Sequence, residues 1–352
     1  MRRVVLAALA LIIAYLLFKP VAIAPVAWHP PAAPKLEGVF AENKALAAVE
    51  WLGRDVVHGP EATALAADGR VYMGSRDGTI HRFDPKTSQF EKFAKVAGRA
   101  LGMQFDGAGN LIVCDADHGL TSVNPAGQAT LLTSEQGGIP FKFTDDVDVA
   151  SDGTIYFTDA SSRFGSERYR EDVFEHAGNG RFMAYHPATH ETELLIGGMN
   201  FANGVALSGD QSFVVVNETG SYRALRYWLA GPKKGTHEVF IDNLPGFPDN
   251  VTFSKQRGIF WIALFAPRDP IVDLVAPAPF LRKVIMRIPE SLQPQAKRHA
   301  IALGVDIEGR VVKNLQNDAP DSFSPLTSVR DAGEYLYLGS LDRDALGRVR
   351  AP

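Results

Sequence analysis

One short pattern recurs six times along the chain: a turn with Gly or a polar residue, four to six apolar residues, then a small or acidic one. It reads ADGRVYMGS (67–75), GAGNLIVCDA (107–116), SDGTIYFTDA (151–160), GDQSFVVVNE (209–218), KQRGIFWIAL (255–264) and DAGEYLYLGS (331–340). The runs are β-branched and aromatic and are bounded by turn residues, which marks them as strands. Their first residues, Val71, Leu111, Ile155, Phe213, Ile259 and Tyr335, stand 40, 44, 58, 46 and 76 positions apart. Further short strands fit between them at 79–84, 180–187 and 222–229. Six copies at a base period of about 40–45 predict an all-β fold, a six-bladed β-propeller of four-stranded blades. Two unrelated β-sandwiches would not repeat one turn-strand signature six times. No WD dipeptide occurs, and the Gly-Gly pairs at 137–138 and 197–198 fall out of phase, which sets aside the WD40 and kelch types.

The propeller is expected over residues 36–350 of the 352-residue chain, with an insertion at about 265–300. That insertion contains DLVAPAPFLRKVIMRIPESL, a partly helical, apolar and basic stretch. It reads as a lid over one face, as a membrane-facing helix pair, or as a packed side excursion. A second, polar insertion spans 161–180. The single cysteine, Cys114, excludes an intrachain disulfide framework and Cys-rich metal sites. A net charge of −4 argues against nucleic acid as a partner. Nothing in the chain specifies an oligomeric state.

Residues 1–30 form a separate leader. Val4–Phe18 is an unbroken apolar run of 15 residues behind Arg2 and Arg3, and an extension through Trp28 would reach 25. The reading is an uncleaved signal anchor, a transmembrane helix with a Pro-rich spacer, that leaves the propeller membrane-anchored outside the cytoplasm. An exported, cleaved soluble protein is the alternative. Arg2, Arg3 and Lys19 are the only charges in residues 1–19, so the remainder carries −7.

A propeller brings the inner strand of every blade to one central channel, so chemistry is sought at equivalent positions before the repeats. Glu61 lies eight residues before Gly69, and Asp145 and Asp146 lie eight and seven before Gly153. Asn203 lies eight before Gln211, and Asp249 and Asn250 lie eight and seven before Arg257. Four blades thus place a carboxylate or amide at one phase. Oxygen-only donors point to a hard cation, Ca²⁺ before Mg²⁺.

The segments HGPE, RALGMQFDGAGNLIVCDADHGL, FTDDVDVASDGTIYFTDASSR, FANGVALSGDQSFVVVNET and NLPGFPDNV resemble the strictosidine synthase-like propellers. The branch they resemble is that of the adipocyte plasma membrane-associated proteins, within the gluconolactonase–paraoxonase superfamily. By that resemblance Glu61, Asp145, Asn203 and Asp249 are the metal ligands, the cofactor is Ca²⁺, and Asn250 is a further ligand or supports one. The resemblance implies a hydrolase, an arylesterase or lactonase acting on a small-molecule ester or lactone. In it Asp249 acts as nucleophile or base, with Asp145 second. A non-enzymatic, membrane-anchored binding propeller with a structural calcium is the alternative.

Three departures accompany the resemblance. The family usually carries Asn where this chain has Asp145, so three carboxylates sum to −3 against a +2 ion. No Glu occurs between Asp318 and Gly333, which disfavours a strictosidine synthase-type condensation. Leu101 and Ala116 occupy the regions where paraoxonase-like enzymes place a histidine pair, with His118 the only nearby substitute. His58 is a weaker candidate beside the channel. Asn217 and Asn250 match the N-glycosylation pattern by chance, and Cys114 reads as a buried apolar residue.

Overall fold

Each recurring run forms the second strand of a four-stranded antiparallel sheet, and six such sheets make the propeller in the computed structural model, which describes residues 1–352. The inner strands are Thr63–Leu65, Ala100–Phe105, Thr144–Val149, Ala202–Leu207, Gly246–Ser254 and Ser328–Asp331. We number the blades one to six in that order. Blade six borrows its outer strand from the start of the chain: Glu50–Leu52 pairs antiparallel with Leu346–Arg350. The ring is thereby closed by backbone hydrogen bonds between the two ends of the propeller.

Period-two alternation explains how the blades cohere. In blade two, Leu111 and Val113 face blade one, where they pack with Tyr72 and Ile80. The intervening Ile112 and Cys114 face blade three and pack with Phe157 and Met183. Every blade thus buries both faces, and a separate apolar cluster lies between each adjacent pair. Cys114 is a buried member of one of them, as its place in an apolar strand suggested.

The inner strands are not regular. In blades two to five the pairing with the second strand slips between Ala100 and Met103, Thr144 and Val147, Ala202 and Val205, and Pro248 and Val251. A β-bulge re-aims the side chain it contains. Here each bulge spans one channel position: Leu101, Asp145, Asn203 and Asp249.

Both insertions join the second strand of a blade to its third. Residues 160–179 leave blade three and include a short helix, Tyr169–Glu175. Residues 268–299 leave blade five and include helices Pro270–Val275 and Pro279–Ile285. Together they cover one end of the channel.

The leader differs from the expected transmembrane helix. Its helix, Arg2–Phe18, has 17 residues, none buried, and no helix is long and apolar enough to cross a membrane. Pro20 disfavours helical backbone in the residue before it, and Lys19 accordingly turns extended at ψ 127°. Residues 19–34 do not stand off the body as a spacer. Ile23 is buried against Phe164 and Phe174, and Trp28 stacks on His176 with ring centroids 4.3 Å apart. The amide of Ala24 donates to Glu175 (2.6 Å), and Arg268 donates to the Pro31 carbonyl (2.6 Å). The segment is a strap that ties the two insertions together.

Candidate functional site

Three of the bulges aim Asp145, Asn203 and Asp249, from blades three, four and five, into one cavity of about 640 Å³ at the covered end of the channel, and Glu61 joins them from the segment leading into the regular inner strand of blade one. Each lies two residues before the inner-strand residue paired to the second strand: Thr63, Val147, Val205 or Val251. Blade two places Leu101 at the same position before Met103. Blade six places Thr327 there, two residues before Val329, with its hydroxyl spent on the Glu61 carbonyl at 2.6 Å. The floor of the cavity is therefore an oxygen-rich arc interrupted by one leucine.

All four side chains are buried, and three carry an oxygen with no hydrogen-bond partner: Glu61 Oε2, Asp145 Oδ1 and Asn203 Oδ1. Unsatisfied buried acceptors are costly. A cation would satisfy acceptors from three blades that all lack donors. No three His, Cys, Asp or Glu side chains form a metal cluster by themselves, so such an ion would need the Asn203 amide oxygen as well.

Burial and mutual repulsion raise every carboxyl here. Glu61 is pushed from 4.5 up to about 8, first by desolvation and then by the charge of Asp146. Asp145 is raised by desolvation, then by Glu61 and Asp249. Asp249 is raised by desolvation and by Glu61, against the hydrogen-bonding amide of Asn203.

The neighbours of these residues have structural roles. Asp146 turns away from the cavity and accepts from the Val205 amide at 2.9 Å, locking blade three to blade four. Asn250 donates to Glu61 Oε1 (3.1 Å) and to the Thr327 carbonyl (3.0 Å), so it orients Glu61 across the gap between blades five and one. Asn217 donates to the Asp249 carbonyl at 2.6 Å. Asn217 and Asn250 are both buried, which closes them to glycosylation. His58 sits half-exposed beside Asp344 (3.4 Å), and His118 beside Asp115 (3.0 Å); neither lines the cavity. Leu101 and Ala116 are packed in one apolar cluster with Phe143 and Phe201.

Sequence reasoning missed the walls. Phe143, Phe201 and Phe247 each precede a floor residue by two positions and line the cavity, so an aromatic at that offset was a readable signal. Above them the lid supplies Tyr169, Phe174 and Val272. Arg99 lines the cavity as well, and its charge favours the ionised form of Glu61. With Arg99 counted, the −3 of the carboxylates and a +2 ion would balance.

The comparisons with known proteins agree with this architecture. The strictosidine synthase family model matches residues 145–232, and the model of the strictosidine synthase-like N-terminal region matches residues 38–83. The strictosidine synthase-like 4 protein of Arabidopsis thaliana is 36% identical over 314 residues, covering 87% of this chain and 83% of the relative. The adipocyte plasma membrane-associated protein of Bos taurus is 32% identical over 357 residues, covering 95% and 86%. A gluconolactonase from Xanthomonas campestris superposes with a TM-score of 0.62 at 17% identity, covering 95% of this chain and 99% of that one. A calcium-binding regucalcin from Agrobacterium tumefaciens gives 0.58 at 13% identity, covering 83% and 90%. At those identities the structures speak for the fold, whereas the two curated relatives settle kinship: the chain belongs to the strictosidine synthase-like family, in a six-bladed propeller of the kind gluconolactonases share.

Proposed function

We propose that this protein is a calcium-dependent hydrolase of lactones or aryl esters, working on the cavity floor. The observation that carries the reading is the set of three donor-less buried oxygens, from Glu61, Asp145 and Asn203, facing one aromatic-walled cavity beside Asp249. Glu61, Asp145, Asn203 and Asp249 would hold the ion, which supplies positive charge to polarise an ester carbonyl. Asp249 takes the proton of an attacking water, or attacks the carbonyl itself. Phe143, Phe201 and Phe247 hold the aryl or alkyl body, and the lid keeps bulk water out. The kinship with a calcium-binding regucalcin and a gluconolactonase in fold supports the choice of ion and reaction.

The test is turnover of phenyl acetate and a panel of lactones by the full chain, with and without excess chelator. Turnover that chelation abolishes is the expected result, and undiminished turnover in chelator overturns it. The second reading, a binding propeller with structural calcium, is favoured by one observation: the apolar cluster of Leu101, Ala116, Phe143 and Phe201 leaves no histidine near the floor. It predicts that chelation lowers the melting temperature while no ester or lactone is turned over.

The raised carboxyls give the reading a pH signature. Glu61 has a higher pKa folded, about 8, than its ordinary 4.5. Its contribution to the stability of the calcium-free fold is therefore full below 4.5 and lost as pH climbs through 8. Calcium binds the ionised form. The calcium-free melting temperature is expected to fall between pH 5 and 8, and the increment that calcium adds to it to grow over the same range, measured by scanning calorimetry.

Membrane association belongs to the same proposal. Helix Arg2–Phe18 has no buried residue, and Arg287 donates to the Lys19 and Leu16 carbonyls (2.6 and 3.0 Å), fixing it to the lid. On the lid, Ile271, Leu274, Phe280 and Leu281 are also exposed. A basic-ended apolar helix beside an apolar lid suits an anionic bilayer surface. The full chain is expected to float with phosphatidylserine-containing vesicles, and a chain lacking residues 1–18 to float markedly less.

A further inference from the structure

Beyond its acidic floor the cavity is lined by more cations than acids, six against Glu167, Asp269 and Asp342. Six cationic and six acidic side chains line it, and three of the acids are the candidate ligands Glu61, Asp145 and Asp249 on the floor. The cations Arg76, Arg99, Arg170, Lys297, Arg298 and Arg343 belong to its walls and mouth. Two of them have acidic partners: Arg170 pairs with Glu290 (3.0 Å) and Arg76 with Asp344 (3.6 Å).

Three arginines make no ion pair. Arg99 donates only to the Leu341 carbonyl (3.3 Å), Arg298 only to that of Pro320 (3.3 Å), and Arg343 only to that of Ser322 (2.8 Å). The Nε atoms of Arg99 and Arg343 are buried without any acceptor. Arg76 converges on the same Leu341 carbonyl as Arg99, at 2.8 Å, so two guanidiniums share one acceptor. Asp342, the exposed acid between Leu341 and Arg343, pairs with none of them. Burial works most strongly against ionisation of Arg99 and Arg343. At Arg99 the charge of Glu61 opposes it ahead of the repulsion from Arg76, with Glu167 and Asp342 also opposing; at Arg343 the repulsion from Arg298 adds to burial while Asp342 opposes. Crowded guanidiniums with unused donors match the geometry of a carboxylate or phosphate.

We propose that Arg99 and Arg343, with Arg76 and Arg298 at the rim, form an anion subsite, and that the substrate is an ester or lactone carrying a carboxylate or phosphate. The floor would engage the carbonyl while the arginines engage the anionic group, and the phenylalanines pack the body between. The substrate class rests on the hydrolase reading; the subsite itself does not. Its cationic wall also explains how an acidic protein could take an anionic ligand, because the field that matters is that of the cavity.

The test separates the two claims. The full chain in calcium, and the same chain freed of calcium by dialysis, are titrated calorimetrically with phenyl phosphate, 4-hydroxybenzoate and the neutral methyl 4-hydroxybenzoate. At least one anionic probe is expected to bind about tenfold or more tightly than the neutral one, and which one does so identifies phosphate or carboxylate as the preferred group. Loss of a charge-assisted contact is worth about ten- to a hundredfold. Arg99→Met should therefore shrink the anionic-to-neutral preference by about that factor, with or without calcium. Arg343→Gln, nearer the mouth, should shrink it too and serves if Arg99→Met does not fold. Equal affinity for the neutral and anionic probes overturns the subsite. So does an unchanged preference in both variants, including the case where Arg99→Met alters only calcium affinity, which would make Arg99 a mere counter-charge. Arginine-dependent anion binding in a protein that turns over no ester would sink the hydrolase reading and leave the subsite standing.

Discussion

Asp249→Asn is expected to lower calcium affinity by about a hundredfold or more and to reduce ester turnover by roughly 10²–10⁴, while the protein stays folded. The fold should tolerate the change because the Asp249 backbone keeps its tie to the neighbouring blade through the Asn217 amide, and an amide oxygen at 249 can still accept from Asn203. Burial and Glu61 both disfavour the ionised Asp249 carboxyl. An uncharged amide removes that conflict, so the calcium-free variant should melt at or above the wild-type temperature. Calcium should then add much less to it. This crossing, a more stable apo protein with a smaller calcium increment, is what a ligand role predicts and what a purely structural carboxylate would not show. Calcium affinity and turnover both within a factor of about two of wild type would remove Asp249 from the site.

Asp145 offers the internal control. The family resemblance places Asn there, and Asp145 repels both Glu61 and Asp249. Its replacement by Asn leaves two carboxylates for a divalent ion, which weakens binding but lets the ion's charge act more strongly on a carbonyl. The two conservative substitutions should thus part company in turnover although both cost affinity.

How much of this was legible in the sequence follows from where each interaction is encoded. The blades were readable because each second strand buries both faces, so Leu111–Asp115 or Phe213–Glu218 is apolar enough to stand out alone. The floor was readable because the channel position of each of these inner strands lies at a constant distance from the following turn, which put Glu61, Asp145, Asn203 and Asp249 in phase. Residue type alone did not choose between Asp145 and Asp146; the family resemblance did, in favour of Asp145. Both are buried, and only the bulge decides which faces the cavity and which accepts from Val205. Arg99 was invisible for a different reason. Its partner carbonyl, Leu341, comes from the far end of the chain and is brought near by ring closure. The strap escaped notice because much of its attachment is made by backbone groups, such as the Ala24 amide and the Pro31 carbonyl, which leave no mark in residue type.

The second large effect concerns a residue with no side chain. At the bulge position after each floor residue, blades three and five carry Asp146 and Asn250, while blades two and four carry Gly102 and Gly204. The glycines make room for their neighbours: a Cβ on Gly204 would stand 2.5 Å from the Cα of Asn250, and one on Gly102 would stand 2.5 Å from the Cα of Asp146. Both obstacles are backbone, which cannot swing aside as a side chain can. Gly204→Ala must therefore push the inner strand of blade five outward, carrying Asp249 away from the floor and Asn250 away from Glu61. The expected cost is about 1–3 kcal/mol of stability, read as a fall of several degrees in melting temperature. A larger fraction of calcium affinity should go with it, because two ligands lose their positions at once. Gly107→Ala is the comparison: a Cβ there meets nothing within 4 Å, so stability should stay within about 0.5 kcal/mol and calcium binding should be unchanged. If Gly204→Ala kept both its melting temperature and its calcium increment, the ring of bulges would have to be soft. The site would then owe its geometry to the ion rather than to the packing of one blade's glycine against the next blade's backbone.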